Sequence, residues 1–364
     1  MVKNGIYPHA KTLKDQNILE YIADDLVVED MERFEQELNS ALAPQKNYLT
    51  VIERELYARG KKIRPMMMFL SARMIHGQRS LPIKVIKGAV SLEMLHVATL
   101  IHDDIIDDAL MRRGLPSVNA MRGSKKALLV GDMHFVQAIR GFVDAIDTQS
   151  DMALVKLVLD TAFEICCGEL DELDVSFSDD EEEMRTKYLT TIERKTAVLF
   201  GLACEAGISL VKSRTHEARR GGFYGRRFGR AFQIMDDLFD IIQPKTSAGK
   251  IPGIDLMQSR WSLPLIYATK EFGPHHLISR AMSTTKTLSA TEISRCLADL
   301  RSSKAFDRAY AEAREAALES LFYLRPFPLS IYRDALEELV MYVVDRPIEK
   351  EEKSEPTSPA YAVG

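Results

Sequence analysis

The chain has 364 residues, 46% hydrophobic and 28% charged, the mix of a soluble globular protein and not of a disordered or fibrous one. Its net charge of −5 excludes the strong basic excess of a general nucleic-acid binder. Cys166, Cys167, Cys204 and Cys296 lack the two-residue spacing of a zinc or redox pair and read as buried or incidental thiols in a reducing compartment.

Residues Met1 to Lys14 contain no apolar core, so neither signal peptide nor anchor is expected there. No run reaches the roughly 18 consecutive apolar residues of a membrane span, and a cytoplasmic protein is expected. Gly60-Lys61-Lys62-Ile63-Arg64-Pro65 places Lys61 and Arg64 within one helical turn. After the breakers Gly77 to Pro82, apolar residues recur at helical spacing from Ile83 to Ile101. His96 lies on that apolar face, where a histidine is either a satisfied core residue or a ligand-binding one. The helix runs into His102-Asp103-Asp104-Ile105-Ile106-Asp107-Asp108, followed by Arg112-Arg113 and the breakers Gly114 to Pro116. Further breakers fall at Gly141 to Ser150.

Helices are predicted over Leu154–Leu173, Tyr188–Val211, Phe223–Ile242 and Asp334–Val344. The acid run Asp179–Glu183 reads as a solvated loop or a first helical turn. Lys195-Thr196 lies inside an apolar helix, where a lone lysine is rare. A second cluster, Asp236-Asp237-Leu238-Phe239-Asp240, repeats the spacing of the first. The breakers Pro244 to Pro252 include Lys250 in a glycine-flanked loop. Residues 1–348 read as one domain, and Glu349 to Gly364, charged and then rich in Ser and Pro, as a disordered tail. Strand patterns are scarce, and there is no internal repeat, Rossmann glycine motif or P-loop.

The aspartate clusters carry the chemistry. Residues four apart share a helix face, so Asp103 and Asp107 lie together, as do Asp236 and Asp240. Two unit charges 4 Å apart repel by about 4 kcal/mol even at an effective dielectric near 20. A pair of such clusters, each set in apolar sequence, therefore calls for a cation. Oxygen-only ligands suit Mg²⁺, which takes a few carboxylates together with water and substrate phosphates.

With these segments in view, the chain resembles the all-trans isoprenyl diphosphate synthases, particularly the long-chain polyprenyl branch. The resemblance covers Tyr21 to Arg346. Gly60–Pro65 is similar to the family's G-K-x-x-R-P segment. Asp103–Asp107 with Arg112-Arg113-Gly114 resembles its first aspartate-rich motif. Val130-Gly131-Asp132, Glu193-Arg194-Lys195-Thr196-Ala197, Phe232–Asp240, Gly249-Lys250, Gly253-Ile254-Asp255-Leu256 and Leu263-Pro264-Leu265 resemble later family segments. The chain departs in having Arg59-Gly60-Lys61 for Gly-Gly-Lys, Ser259-Arg260 for a common Gly-Lys, and the Cys166-Cys167 pair.

The resemblance implies an all-α helical bundle around a central cavity and a transferase that joins isopentenyl diphosphate to an allylic diphosphate. It implies Mg²⁺ held by Asp103, Asp104, Asp107, Asp236, Asp237 and Asp240. Arg112, Lys195, Lys250 and Arg260 would bind the allylic diphosphate. Lys195, Thr196 and Gln233 would act on the developing allylic cation, and Lys61, Arg64, His96 and Arg113 would hold isopentenyl diphosphate. The small Ala98 and Thr99 below Asp103 imply an open tunnel and a product of twenty carbons or longer, with Leu95, Phe135, Leu154 or Val158 as floor and Met66-Met67-Met68 as core. A homodimer is expected. The alternatives are a catalytic subunit that needs a small partner subunit, and a terpene cyclase, which would usually carry an Asn/Asp-Ser/Thr-Glu second metal motif.

Overall fold

The computed structural model describes residues 17–146, 152–212, 216–242, 252–284 and 288–345. Lys250 and the tail from 349 lie outside these residues. The described chain is a helical bundle. Ile83–Ile106 packs along Ser124–Asp144, and Val198–Lys212 packs between Ile63–His76 and His216–Ile242. Lys304–Leu324 lies against the other side of His216–Ile242.

Burial follows from composition. Val198 through Leu210 is apolar on nearly every side and is buried throughout, as a helix apolar all round must be. Ile63–His76 is similar, and Met66, Met67 and Met68 are core residues, as their sequence context implies. Ile83–Ile106 is long and apolar enough, by length and composition alone, to cross a membrane. Here it is wrapped by other helices and ends in aspartates. A count of uninterrupted apolar residues missed its length because Lys84, Lys87, Glu93 and His96 break the run.

Two boundaries differ from the sequence reading. The break expected from Gly141 falls later, since Ser124–Asp144 runs straight through that residue. The stretch predicted as one helix over Tyr188–Val211 is three pieces: Glu181–Ile192, a wide π-helical turn Glu193–Ala197, and Val198–Lys212. The acid run behaves as expected. Asp180 caps the helix by accepting hydrogen bonds from the Glu182 and Glu183 amides, and Glu181 to Glu183 occupy the first turn, where the helix dipole favours them.

Among the described residues the only strands form a two-residue hairpin, Met111–Arg112 with Leu115–Pro116. Its turn residues Arg113 and Gly114 both have positive φ, 52° and 75°, the left-handed pair that matches strand twist in tight hairpins.

Candidate active site

Asp103 and Asp104 occupy the last turn of Ile83–Ile106, and Asp107 caps it. Asp104 is fully buried, and its Oδ1 accepts from Arg112 Nη2 at 2.6 Å and Nε at 2.8 Å. Burial still pushes its carboxyl above the usual range, against the pull of Arg112. Asp107 pairs with Arg260 at 2.6 Å. Asp236, Asp237 and Asp240 lie near the end of His216–Ile242. Asp236 is exposed, and Asp240 Oδ2 accepts from the Asp255 amide at 3.3 Å. Both oxygens of Asp237 are already engaged: Oδ1 accepts from Gln233 Nε2 at 2.8 Å and Oδ2 from the Tyr188 hydroxyl at 2.6 Å.

Cations and bridging acids join the two clusters. Lys195 Nζ sits 2.9 Å from Glu169 and 2.6 Å from Glu172, on the Met152–Leu173 helix. Burial opposes its charge, but Asp103, Glu172 and Glu169 together hold its pKa above that of a free lysine. Arg260 reaches Asp107 and lies 3.8 Å from Glu172, and Glu172 in turn raises Asp237. Thr196 donates to Gln233 Oε1 at 2.8 Å, so Thr196, Gln233, Asp237 and Tyr188 form one hydrogen-bonded row.

A second, basic cluster lies further along the same helix. Arg64 Nη1 donates to His96 Nε2 at 3.2 Å, and the Arg64 guanidinium rests on the Phe200 ring, 4.3 Å from its centroid. Burial, with Arg64, Arg113, Arg112 and Lys62 nearby, holds the His96 pKa well below its ordinary value. The imidazole is therefore neutral and can accept from Arg64. Burial lowers Arg64 to about 10, which leaves it charged at neutral pH. Arg113 donates to the Leu56 carbonyl at 2.7 Å, and Lys61 is exposed. Lys62 pairs with the buried Glu93 at 3.4 Å.

Of the residues assigned to chain length, Ala98 and Leu95 are fully buried, while Thr99 and Phe135 are half-buried. Thr99 donates to the His96 carbonyl at 2.8 Å. Leu154 and Val158 are also buried.

Sequence reasoning passed over Glu93, Glu169, Glu172, Tyr188 and Asp255 as site residues. Glu93, Tyr188 and Asp255 are single polar residues with no repeated spacing around them, and Glu169 and Glu172 sit in the acid repeat Glu169-Leu170-Asp171-Glu172-Leu173-Asp174, which reads as an ordinary solvated helix face. The one signal available was a carboxylate inside an apolar stretch, as at Glu93 in Val90–Leu95.

The acid cluster has a stability consequence. Burial, then Asp103, push Glu169 up to about 8, and burial pushes Asp237 up to about 7. Carboxyls raised in the folded state bind protons more tightly there than in the unfolded chain. They favour folding at low pH, and that contribution is lost as pH rises through about 7 to 8. Melting in a chelator should thus occur at a higher temperature at pH 6 than at pH 9. The Glu169→Gln variant should show a shallower slope; an equal slope would refute the assignment.

A sequence model of the polyprenyl synthetase family matches residues 45–300. Heptaprenyl diphosphate synthase component 2 of Geobacillus stearothermophilus is 30% identical, covering 92% of this chain and 99% of its own. All-trans-nonaprenyl-diphosphate synthase (geranyl-diphosphate specific) of Rhodobacter capsulatus is 33% identical, covering 91% and 98%. The crystal structure of polyprenyl synthase from Caulobacter crescentus CB15, complexed with calcium and isoprenyl diphosphate, superposes with a TM-score of 0.81 at 28% identity, covering 90% of this chain and 98% of that one. The arrangement of two aspartate-bearing helix ends within an all-α bundle, and these matches along nearly its whole length, make this chain a member of the polyprenyl synthetase family.

Proposed function

We propose that the chain is a magnesium-dependent trans-polyprenyl diphosphate synthase, which extends an allylic diphosphate with isopentenyl diphosphate to a product of twenty carbons or longer. The observation that carries this reading is the pairing of two poles. One is the acid pole of Asp103, Asp104, Asp107, Asp236, Asp237 and Asp240, threaded by Lys195 and Arg260. The other is the basic pole of Arg64, His96 and Arg113, with Lys61 at its edge.

The acid pole fits a hard cation. Asp103 Oδ1, Asp104 Oδ2 and Glu169 Oε1 are buried without a hydrogen-bond partner, an arrangement that costs free energy unless a proton or a cation arrives. Among the described residues no three such side chains are gathered as a ready-made metal centre. Arg112 and Arg260 occupy Asp104 and Asp107 instead. That suits Mg²⁺ entering together with a diphosphate, with Asp103, Asp107 and Asp236 as principal holders. When bound, the metal would supply charge neutralisation for the departing diphosphate.

The chain's own residues would do the rest. Lys195, Arg112 and Arg260 hold the allylic diphosphate as its C–O bond breaks; Lys250, assigned to the same role, lies outside the described residues. Thr196 and Gln233, hydrogen-bonded to each other, would offer their remaining oxygen lone pairs to the allylic cation. Arg64, Arg113, His96 and Lys61 fix the diphosphate of isopentenyl diphosphate. Its double bond attacks the cation, and the released diphosphate takes the proton.

We propose a cytoplasmic homodimer as the working form. Leu129, Val136 and Val143 recur every seven residues on an exposed stripe of Ser124–Asp144, beside exposed Leu159, Phe163 and Leu170 of the next helix. The second reading, a catalytic subunit that needs a small partner, is favoured by one observation. Relatives from Geobacillus stearothermophilus and Bacillus subtilis are each named as component 2 of a heptaprenyl diphosphate synthase.

One assay separates these readings. Purified chain is incubated with Mg²⁺, labelled isopentenyl diphosphate and allylic primers of increasing length, and products are resolved by size. A defined product of twenty carbons or longer from the chain alone is the expected result. Activity that appears only with an added partner favours the second reading, and cyclic hydrocarbon products would overturn both.

A further inference from the structure

The proposed chemistry depends on two adjacent side chains, Lys195 and Thr196, and both project from the one turn that departs from α-helical geometry along this stretch. The Val198 amide reaches back five residues to the Glu193 carbonyl, the signature of a π-helical turn. Such a turn inserts one extra residue and re-aims the side chains it carries, and these turns recur at functional sites. It is also less favourable than the α-helix on either side, so something must hold it open.

Every residue of the turn has a dedicated neighbour. Glu193 receives Arg226 at 3.3 Å and Arg230 at 3.1 Å, both from His216–Ile242. Arg194 pairs with Asp171 at 2.7 Å. Lys195 is held by Glu169 and Glu172, and Thr196 by Gln233. Ala197 passes Gly229 so closely that a Cβ there would stand 2.6 Å from the Ala197 Cα. On the opposite side a Cβ at Gly168 would stand 2.6 Å from the Lys195 amide nitrogen. Two neighbouring helices are thus cut back to glycine where the wide turn bulges into them.

Within this set Glu193 is distinct in being gripped by two partners outside the acid pole, where Arg194 has Asp171. Lys195, Thr196, Glu169, Glu172 and Gln233 belong to the acid pole, whereas Glu193 makes its ion pairs away from it. Its partners sit one helical turn apart, Arg226 also being held by Glu164 at 3.1 Å. Two charged contacts from one rigid helix fix both the position and the rotation of the residue that opens the turn.

We propose that Glu193 is a positioning residue: clamped by Arg226 and Arg230, it keeps the π-helical turn open and so aims Lys195 and Thr196 at the reacting allylic group. This inference rests on the proposed function, because it needs those two side chains to act on the allylic diphosphate.

The test is Glu193→Gln, which keeps the shape and removes the charge that both arginines grip. Turnover at saturating substrates should fall about 10- to 100-fold, the scale of an ångström-level misplacement of reacting groups, while KM for isopentenyl diphosphate changes less than about twofold. Glu193→Asp, which retains the charge, should lose less. Arg227→Ala serves as the control. It breaks an ion pair to Glu319 on the same long helix, 3.0 Å in length, and should lower the melting temperature without lowering turnover. Thr196→Val tests the underlying reading directly. If Thr196→Val slows turnover and Glu193→Gln does not, the positioning role is wrong. If Glu193→Gln slows turnover only in step with lost folded protein, it is wrong as well. If Thr196→Val also retains full turnover, the reading of the turn as the reacting element fails and takes this inference with it.

Discussion

Replacing Asp103 with Asn is expected to lower turnover about a thousandfold with little change in stability. A thousandfold loss corresponds to about 4 kcal/mol of transition-state stabilisation. That is a fitting magnitude for one oxygen that holds charge where the leaving diphosphate develops it. Asp103 Oδ1 is buried and has no hydrogen-bond partner in the chain itself, so that oxygen is left for a ligand, while the charge of the carboxylate is partly offset by Lys195. It also raises Glu169 and Asp104 by direct repulsion. Asparagine occupies the same volume without the charge, which relieves both neighbours. Lys195 at the same time loses one of the acids that hold its charge, so the melting temperature should change little while turnover falls. Retention of more than a tenth of the activity would show that Asp103 does not hold the reaction's cation.

A second large effect is expected from Ala98→Phe, which should shorten the product while preserving the first condensation. Ala98 lies one residue before Thr99 and is completely buried. It stands about 7.5 Å down the helix axis from Asp103, at 1.5 Å per residue. On the proposed reading, in which the product grows down this helix from the acid pole, a phenyl ring there would block it after one to two isoprene units. Overpacking a buried site typically costs about 1 to 3 kcal/mol, so the variant should melt lower but fold. The readout is product length with a short primer. A product distribution identical to that of the parent would mean that the chain grows along another route.

The parts of the site that were legible in the sequence are those where chemistry demands several like residues at once. Two carboxylates a turn apart cannot be hidden in an apolar helix, so Asp103–Asp107 and Asp236–Asp240 stood out before any fold was known. Helix positions were legible for the same reason, because burial on one face imposes a period. The rest was not. Glu169 and Glu172 matter because the Met152–Leu173 helix passes Lys195, and nothing in their own neighbourhood announces that crossing. The turn at Glu193–Ala197 was invisible because the helix after it, Val198–Lys212, is apolar on nearly every side, so a one-residue shift of phase leaves no trace in the pattern. Asp237 shows the converse. Its place in the motif suggests a metal ligand like its neighbours, yet its two oxygens are spoken for by Gln233 and Tyr188, which could only be seen in three dimensions.

The hairpin at Met111–Pro116 has a consequence for how the chain can vary. Consecutive residues of that hairpin turn in opposite directions, Arg112 to Asp104 at the acid pole and Arg113 to the Leu56 carbonyl beside the basic pole. One peptide unit, about 3.8 Å between Cα atoms, thereby ties the two halves of the site together. Short surface hairpins are ordinarily where chains accept extra residues most readily. This one works instead as a fixed gauge: a single inserted glycine would leave both arginines present, both clusters intact and the fold unharmed, yet the two substrates would no longer be held in step.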